Sequence, residues 1–178
     1  MKVLSYDPVE GELRIQSPSE NRHDFFDVPS ALYQQMRNSA SQTDFFNAHI
    51  WNKVEHRTHW RSIEDLFDYL AEHFDFVEPV TVASRRGDGD TPLHVVSYWG
   101  DLGAVDLLLA NGADPDGAGD EGCTPLYNAV SFGFVRCAKR LLVAGASPDA
   151  TNSLNTTPRE EALSSTNPAM IELFSDAA

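Results

Sequence analysis

The chain has 178 residues, 42% of them hydrophobic and 22% charged, so it can bury a core and is long enough for one domain with a small companion. Its 27 acidic residues outnumber its 13 lysines and arginines, and the net charge of −14 disfavours nucleic acid and anionic membranes as partners while favouring a basic protein. Two cysteines are too few for a disulfide framework, and the polar start and lack of a long apolar run predict a cytoplasmic protein.

Residues 1–55 are predicted to form a small β-rich domain with one helix. Short strands are expected at 4–6, 13–15 and 24–28, because β-branched and aromatic residues cluster there between polar turns. Pro29 then precedes a predicted helix over 30–40, and residues 44–51 follow as a compact apolar segment.

The sequence of this N-terminal part, with an aromatic strand, Asp-Val-Pro, a helix ending in Ala-Ser and then Phe-Phe-Asn, resembles the KTSC domain. The resemblance implies the fold of that domain over about residues 1–55, without an activity. Two positions depart from the pattern. His23 stands where an aromatic residue is expected, and Gln42-Thr43 replaces the usual glycine after Ala-Ser.

Residues 56–85 are predicted to link the N-terminal domain to the second half of the chain and to cap that half. Within them, residues 62–74 place Ile63, Leu66, Phe67, Leu70 and Phe74 on one helical stripe, which predicts a helix covering the end of whatever follows. The segment 76–90 is read either as an incomplete repeat or as a linker.

The second half of the chain repeats itself with a period of 33 residues. Thr91-Pro92-Leu93 aligns with Thr124-Pro125-Leu126, and Gly112-Ala113 aligns with Gly145-Ala146. In each copy Thr and Pro can begin a short helix, glycine ends it, and a second apolar helix follows. Such short helices are too small to be stable alone, so they are expected to stack on one another.

The motif Thr-Pro-Leu-His, then glycine, then Leu-Leu-Leu, then Gly-Ala-Asp, resembles the ankyrin repeat over about residues 86–176. Full repeats are expected at 88–120 and 121–153, and residues 154–176 at the end of the region 86–178 form a degenerate C-terminal cap. The whole chain is therefore predicted to be α+β, with a β-rich N-terminal domain followed by a short α-helical stack.

The resemblance implies binding through the turn tips and the exposed positions of the first helices, on a concave face. Mapped onto this chain, the candidate partner-binding residues are Asp88, Asp90, Tyr98, Trp99, Asn111, Asp120, Glu121, Ser131, Phe132, Ser153 and Leu154. Aromatic side chains ringed by acids are typical of an interface. Packing of the aromatic residues within the chain is the alternative.

Metal, cofactor and catalytic sites find little support. His56 and His59 have a spacing that one helical turn could bring together, but no further ligands complete a set. Residues 114–122 superficially suggest a calcium loop, although Ala118 stands at a ligand position. No Gly-x-Ser-x-Gly or phosphate-binding glycine motif occurs, and His94 is expected to order its turn. No enzyme, cofactor or metal is predicted.

Three functional hypotheses remain open. The first is an inhibitor or immunity protein that masks a basic protein such as a toxin or nuclease. The second is a two-domain adaptor that joins two proteins. The third is an RNA-associated accessory protein acting through the N-terminal domain, which the acidic charge opposes.

Overall fold

The N-terminal part of the chain folds into an antiparallel sheet in a computed structural model that describes residues 1–16, 21–51 and 53–175. The strands are adjacent in the order β1-β2-β3-β4. The strands are β1 Lys2–Asp7, β2 Glu12–Gln16, β3 Arg22–Phe25 and β4 His56–His59. Two helices accompany the sheet, α1 Ser30–Asn38 and α2 Gln42–His49. The third strand ends earlier than predicted, since Asp27 adopts a positive φ of 55° just before Pro29.

A separate core holds the sheet and its two helices together. Leu13 and Phe25 from the sheet meet Met36 of α1 and Phe46 of α2, and all four are at most 3% exposed. The apolar segment predicted at 44–51 lies largely within the second helix, which the sequence analysis did not predict. Ser41 begins it by accepting a hydrogen bond from the backbone N–H of Asp44.

Strand β4 extends the sheet beyond the domain boundary predicted at residue 55. It pairs with β3, where Thr58 lies opposite His23. Because side chains alternate along a strand, His56 points to the buried side, whereas His59 contacts Asp24 at the partly exposed side. One helical turn therefore does not bring His56 and His59 together.

Helix α3, Ile63–His73, covers the beginning of the repeat stack (residues 92–175). Ser62 caps its N-terminus, and Leu66 and Leu70 are fully buried in the same core as the repeat helices. The amphipathic stripe read from the sequence therefore packs against the first repeat. Its last turn brings Phe74 to within 4.3 Å of the Trp99 ring, measured between centroids.

The repeat stack consists of three helix pairs over the described residues. They are α4 Pro92–Trp99 with α5 Leu102–Ala110, α6 Pro125–Ser131 with α7 Val135–Val143, and α8 Pro158–Ser164 with α9 Pro168–Ser175. The first helices pack side by side, as do the second helices. Leu93 and Leu126, equivalent in the 33-residue period, are both fully buried. The α+β fold class is confirmed; residues 176–178, predicted to end the stack, lie outside the described part.

His94 connects the first repeat to the second. Its Nδ1 accepts a hydrogen bond from the backbone N–H of Thr91 at 3.1 Å, so Nε2 carries the proton and donates to the carbonyl of Cys123, also at 3.1 Å. The side chain is fully buried, and burial lowers its pKa. This geometry agrees with the ordering role expected for the motif histidine.

The sheet is seated directly on the repeat stack through β4 and the start of α5. The backbone N–H of His56 donates to the carbonyl of Gly100 at 2.9 Å. The carboxylate of Asp101 then accepts from the backbone N–H of Thr58 at 2.9 Å and from the indole Nε1 of Trp60 at 3.0 Å. The same carboxylate caps α5, so one buried side chain joins the two halves.

Ion pairs add to this contact at its edges. Arg136 on α7 pairs with Asp27 at 2.6 Å and lies 4.4 Å above the ring of Phe26. Arg57 on β4 pairs with Asp106 on α5 at 2.9 Å. These pairs are partly exposed and contribute little energy each, but they span the same boundary as Asp101.

Gly103 marks how closely β4 approaches α5. A Cβ at this position would overlap the carbonyl oxygen of Thr58. Alanine usually stabilises a helix interior relative to glycine, by about 1 kcal/mol. Here we expect Gly103→Ala to lower the free energy of unfolding by about 2 kcal/mol, because the sheet must move away. Urea unfolding followed by circular dichroism measures it.

Gly87→Ala is the matched control, because Gly87 has no neighbouring atom within 4 Å of an added Cβ and no positive φ. We expect that variant to be neutral or slightly stabilising. Equal stability of the two alanine variants would contradict the tight seating of β4 on α5.

Candidate functional site

Two aromatic side chains form an exposed pair on the first helices of the repeats. Tyr98 lies in the last turn of α4 and Phe132 follows α6, and their ring centroids are 4.2 Å apart. Each side chain is 49% exposed, in contrast with the buried leucines of the same helices. Ser131, also exposed, lies next to Phe132 and donates to the carboxylate of Glu161 at 3.3 Å. The structure therefore brings together three of the predicted residues.

Trp99 corrects one part of the predicted surface. Its side chain is only 7% exposed and packs against Phe74 and Tyr69, with the Tyr69 ring centroid at 6.1 Å. Trp99 and Phe132 are equivalent in the 33-residue period, but helix α3 covers only the first of them. The expectation that Trp99 faces a protein partner is wrong, because the chain itself buries it.

The turn tips line up beside each other. Asp90 accepts a hydrogen bond from the backbone N–H of Asp120 at 2.9 Å, so the first tip is joined to the second. The carbonyl of Glu121 accepts from the backbone N–H of Ser153 at 2.8 Å, which joins the second tip to the third. Leu154, 68% exposed, follows at the end of this row.

The carboxylates at the tips differ in how they are used. Asp88 forms an ion pair with Arg86 at 3.1 Å. Asp90 already accepts a hydrogen bond from the backbone N–H of Asp120. Asp120 and Glu121 are exposed, and no ion pair with either is found over the described ranges. These two acids are therefore the tip carboxylates available to a cation.

Asn111 lies apart from the aromatic pair in its contacts. It caps the C-terminus of α5, and its side chain donates a hydrogen bond to the carbonyl of Leu107 in the last turn at 2.8 Å. No hydrogen bond or ring contact within the described part of the chain joins Asn111 to another predicted site residue. Its inclusion in the binding surface stays a prediction.

The acidic turn at 114–122 uses its carboxylates internally. Asp114 accepts from the backbone N–H of Asp116, and Asp116 accepts from the backbone N–H of Ser147 at 2.7 Å. Among the residues that the structure describes, no group of three or more His, Cys, Asp or Glu side chains could hold a metal ion.

Both cysteines are in their thiol form at neutral pH. Burial raises the pKa of Cys123 and raises that of Cys137 still further, with Glu55 adding to the effect at Cys137. A thiol nucleophile needs the opposite shift, because the thiolate is the reactive form.

The sequence analysis missed a cleft between the sheet and α3. All three tryptophans of the chain, Trp51, Trp60 and Trp99, line it, although they come from three separate segments. Its volume is about 430 Å³. No local sequence pattern indicates this cleft, because its walls meet only when the sheet packs against the repeat stack.

Comparison with protein families matches both halves of the chain. The KTSC domain model matches residues 1–53, and the model for ankyrin repeats (many copies) matches residues 93–142. The chain carries a KTSC domain and ankyrin repeats. The KTSC match ends before β4, and the ankyrin match covers α4 to α7, so α8 and α9 complete the stack outside it.

Ankyrin repeats form a module for protein–protein interaction, so the exposed Tyr98–Phe132 pair lies on a fold suited to that role. A search of curated proteins gave no significant match. No helix in the described ranges combines the length and the hydropathy needed to cross a bilayer.

Proposed function

We propose that the chain binds a basic protein through its ankyrin repeats and thereby masks that protein's cationic surface. The observation that carries the proposal is the exposed Tyr98–Phe132 pair on the first helices. Burial of two large aromatic side chains by a partner contributes a large favourable free energy of binding, and aromatic residues dominate the energy of known interfaces.

Charge indicates the kind of partner. The ankyrin half, residues 88–178, contains 13 acidic residues and four lysines or arginines. Asp120, Glu121 and Glu161 add carboxylates at the tips and beside Ser131. A basic surface would be attracted to this half, and its association would slow as salt increases.

Masking is proposed over bridging because the KTSC domain is seated on the repeats. Hydrogen bonds to Asp101 and the pair between Arg136 and Asp27 hold the halves in contact. A protein with one acidic face fits an inhibitor of a toxin or nuclease. A two-partner adaptor remains the alternative, and a cytoplasmic location stays a prediction.

Affinity capture from the native cell, read by mass spectrometry, identifies the partner, and surface plasmon resonance then measures binding. We expect Phe132→Ala to weaken binding at least tenfold, because the lost ring leaves Tyr98 without its neighbour. We expect Asp120→Asn with Glu121→Gln to slow association and reduce its salt dependence.

Val143→Ala is the matched control, since Val143 is 75% exposed but lies on a second helix, away from the aromatic pair. Unchanged affinity in Phe132→Ala, or equal losses in both alanine variants, would refute the proposed face. A gel shift of the full chain with RNA at low salt tests the RNA hypothesis, and we expect none.

A further inference from the structure

The cleft lined by the three tryptophans has aromatic walls on two sides. On the helix side the Trp60 and Tyr69 centroids are 5.4 Å apart, and Trp99 lies 6.1 Å from Tyr69. On the sheet side Trp51 meets His23 edge-on, with centroids 5.1 Å apart. A space of about 430 Å³ is in the range of small-ligand sites.

The charge of the cleft is negative. Asp65, Asp68, Glu72 and Asp101 line it, and no lysine or arginine does so in the described part. Asp68 is exposed and has no ion pair among the described residues. Asp65 pairs through Oδ1 with Arg61, while its Oδ2 has no hydrogen-bond partner there. Aromatic faces and carboxylates both attract cations.

His23 supplies an independent observation. This side chain lines the cleft, is only 5% exposed and uses its Nδ1 with the hydroxyl of Thr58 at 3.0 Å. Its Nε2 has no hydrogen-bond partner among the described residues. Buried polar atoms are almost always hydrogen-bonded, so an orphan atom beside a cleft indicates a missing ligand or water.

We propose that this cleft binds a guanidinium group. The planar cation would stack against the tryptophan walls while its N–H groups reach the free carboxylate of Asp68 and the unpartnered Oδ2 of Asp65. In the tautomer of His23 whose Nδ1–H donates to the Thr58 hydroxyl, Nε2 accepts a further N–H of the cation. The site lies between the KTSC sheet and α3, so it is separate from the Tyr98–Phe132 pair and goes beyond the proposed function.

Guanidinium fits better than the other cations because it combines a flat face with five N–H donors in fixed directions. A quaternary ammonium has no donor and leaves the acceptors unpaired. A lysine ammonium has donors but cannot stack. An anion or a phosphate-bearing ligand would be repelled by the four carboxylates.

Tryptophan fluorescence tests the proposal directly, because every tryptophan of the chain lines the cleft. The full chain is titrated at constant ionic strength with agmatine, with arginine capped at both ends, with equally capped lysine and with tetramethylammonium. We expect saturable changes with at least one guanidinium compound, and at least fivefold weaker binding of lysine and tetramethylammonium. Response to agmatine alone identifies a free small molecule as the source, whereas response to capped arginine identifies a protein side chain.

Asp68→Asn with Glu72→Gln removes two exposed carboxylates from the cleft. We expect at least fivefold weaker guanidinium binding in this double variant. Glu10→Gln with Glu172→Gln, both exposed and outside the residues that line the cleft, changes the net charge equally and should bind normally.

Tryptophan indole resonances, recorded by ¹H–¹⁵N NMR, give a second readout and should shift in parallel. The proposal is overturned by non-saturable titrations with both guanidinium compounds, by equal binding of lysine, or by equal weakening in the two double variants. None of these results bears on whether Phe132 contacts a protein partner.

Discussion

Asp101→Ala is expected to lower the free energy of unfolding by about 4 kcal/mol, because four N–H groups, two in buried and two in partly buried hydrogen bonds, lose their acceptor. Two of them, from Gly103 and Ala104, belong to the first turn of α5. The other two, from Thr58 and Trp60, belong to the strand and segment that reach the KTSC side. Asp101 is 1% exposed, so water does not replace the lost carboxylate. Urea unfolding measured by circular dichroism gives the change.

Ser62→Ala serves as the comparison for an ordinary helix cap. Ser62 caps α3 through a single hydrogen bond to the backbone N–H of Asp65, and its loss should cost about 1 kcal/mol. Asp101→Asn, which keeps one carbonyl oxygen, should fall between the two alanine variants. If Asp101→Ala costs no more than Ser62→Ala, then Asp101 caps its helix without joining the halves.

Acid is expected to destabilise the chain through His23. Burial is the main cause that lowers the pKa of His23 to about 4, and the neighbouring His56 adds to the effect. In the unfolded chain this histidine has its ordinary pKa of 6.5, so between these values the unfolded state binds the proton and the folded state does not. The stabilisation is complete above pH 6.5 and is lost as the pH falls towards 4. The loss amounts to roughly 3 kcal/mol at pH 4.

His23→Phe isolates this contribution. The KTSC pattern expects an aromatic residue at the position, and phenylalanine does not titrate. We expect urea unfolding of the variant between pH 7 and pH 4 to lose roughly 3 kcal/mol less stability than the parent chain. His94 and Glu55, whose pKa values burial also shifts, titrate in both proteins and cancel in the comparison. The repulsion between His23 and His56 is removed together with His23 and is part of the measured difference. Parallel stability profiles for the two chains would contradict the prediction.

Seating of the sheet on the repeats explains why a buried acid and a buried histidine lie so close to the cleft. Asp101 and His23 both line this cleft. Asp101 caps α5, and His23 lies on β3. Asp101 takes two of its hydrogen bonds from the other side of the boundary, from Thr58 and Trp60, whereas His23 bonds to Thr58 within the sheet. Stability and the proposed guanidinium site therefore share residues, whereas the Tyr98–Phe132 pair is separate from both.

The repeat architecture was predictable because its signals are local. The first helix of the first repeat is begun by Thr91 and Pro92 and ended by Gly100. The equivalent residues of the next repeat, 33 positions later, are Thr124, Pro125 and Gly133. The amphipathic stripe of α3 is local in the same sense. These features need only the period of the helix and the chemistry of its ends, so the printed sequence determined them.

The candidate sites were only partly predictable. Tyr98 and Phe132 were identified from repeat positions, and both are exposed. Trp99 was misplaced because its repeat position says nothing about Phe74, which covers it from outside the repeat. The second KTSC helix was missed because residues 42–49 have a weak helical pattern, with the capping Ser41 as its clearest signal.

What the sequence by itself determined is therefore the composition, the acidic charge, the 33-residue period and the two family resemblances. Tertiary structure alone decided that residues 56–59 join the sheet, that Asp101 connects strand to helix, and that three distant tryptophans enclose one cleft. Thr58 and Asp101 are 43 positions apart, and no periodicity relates them. Such contacts arise from the fit of two folded surfaces, where burial decides which polar groups must find partners.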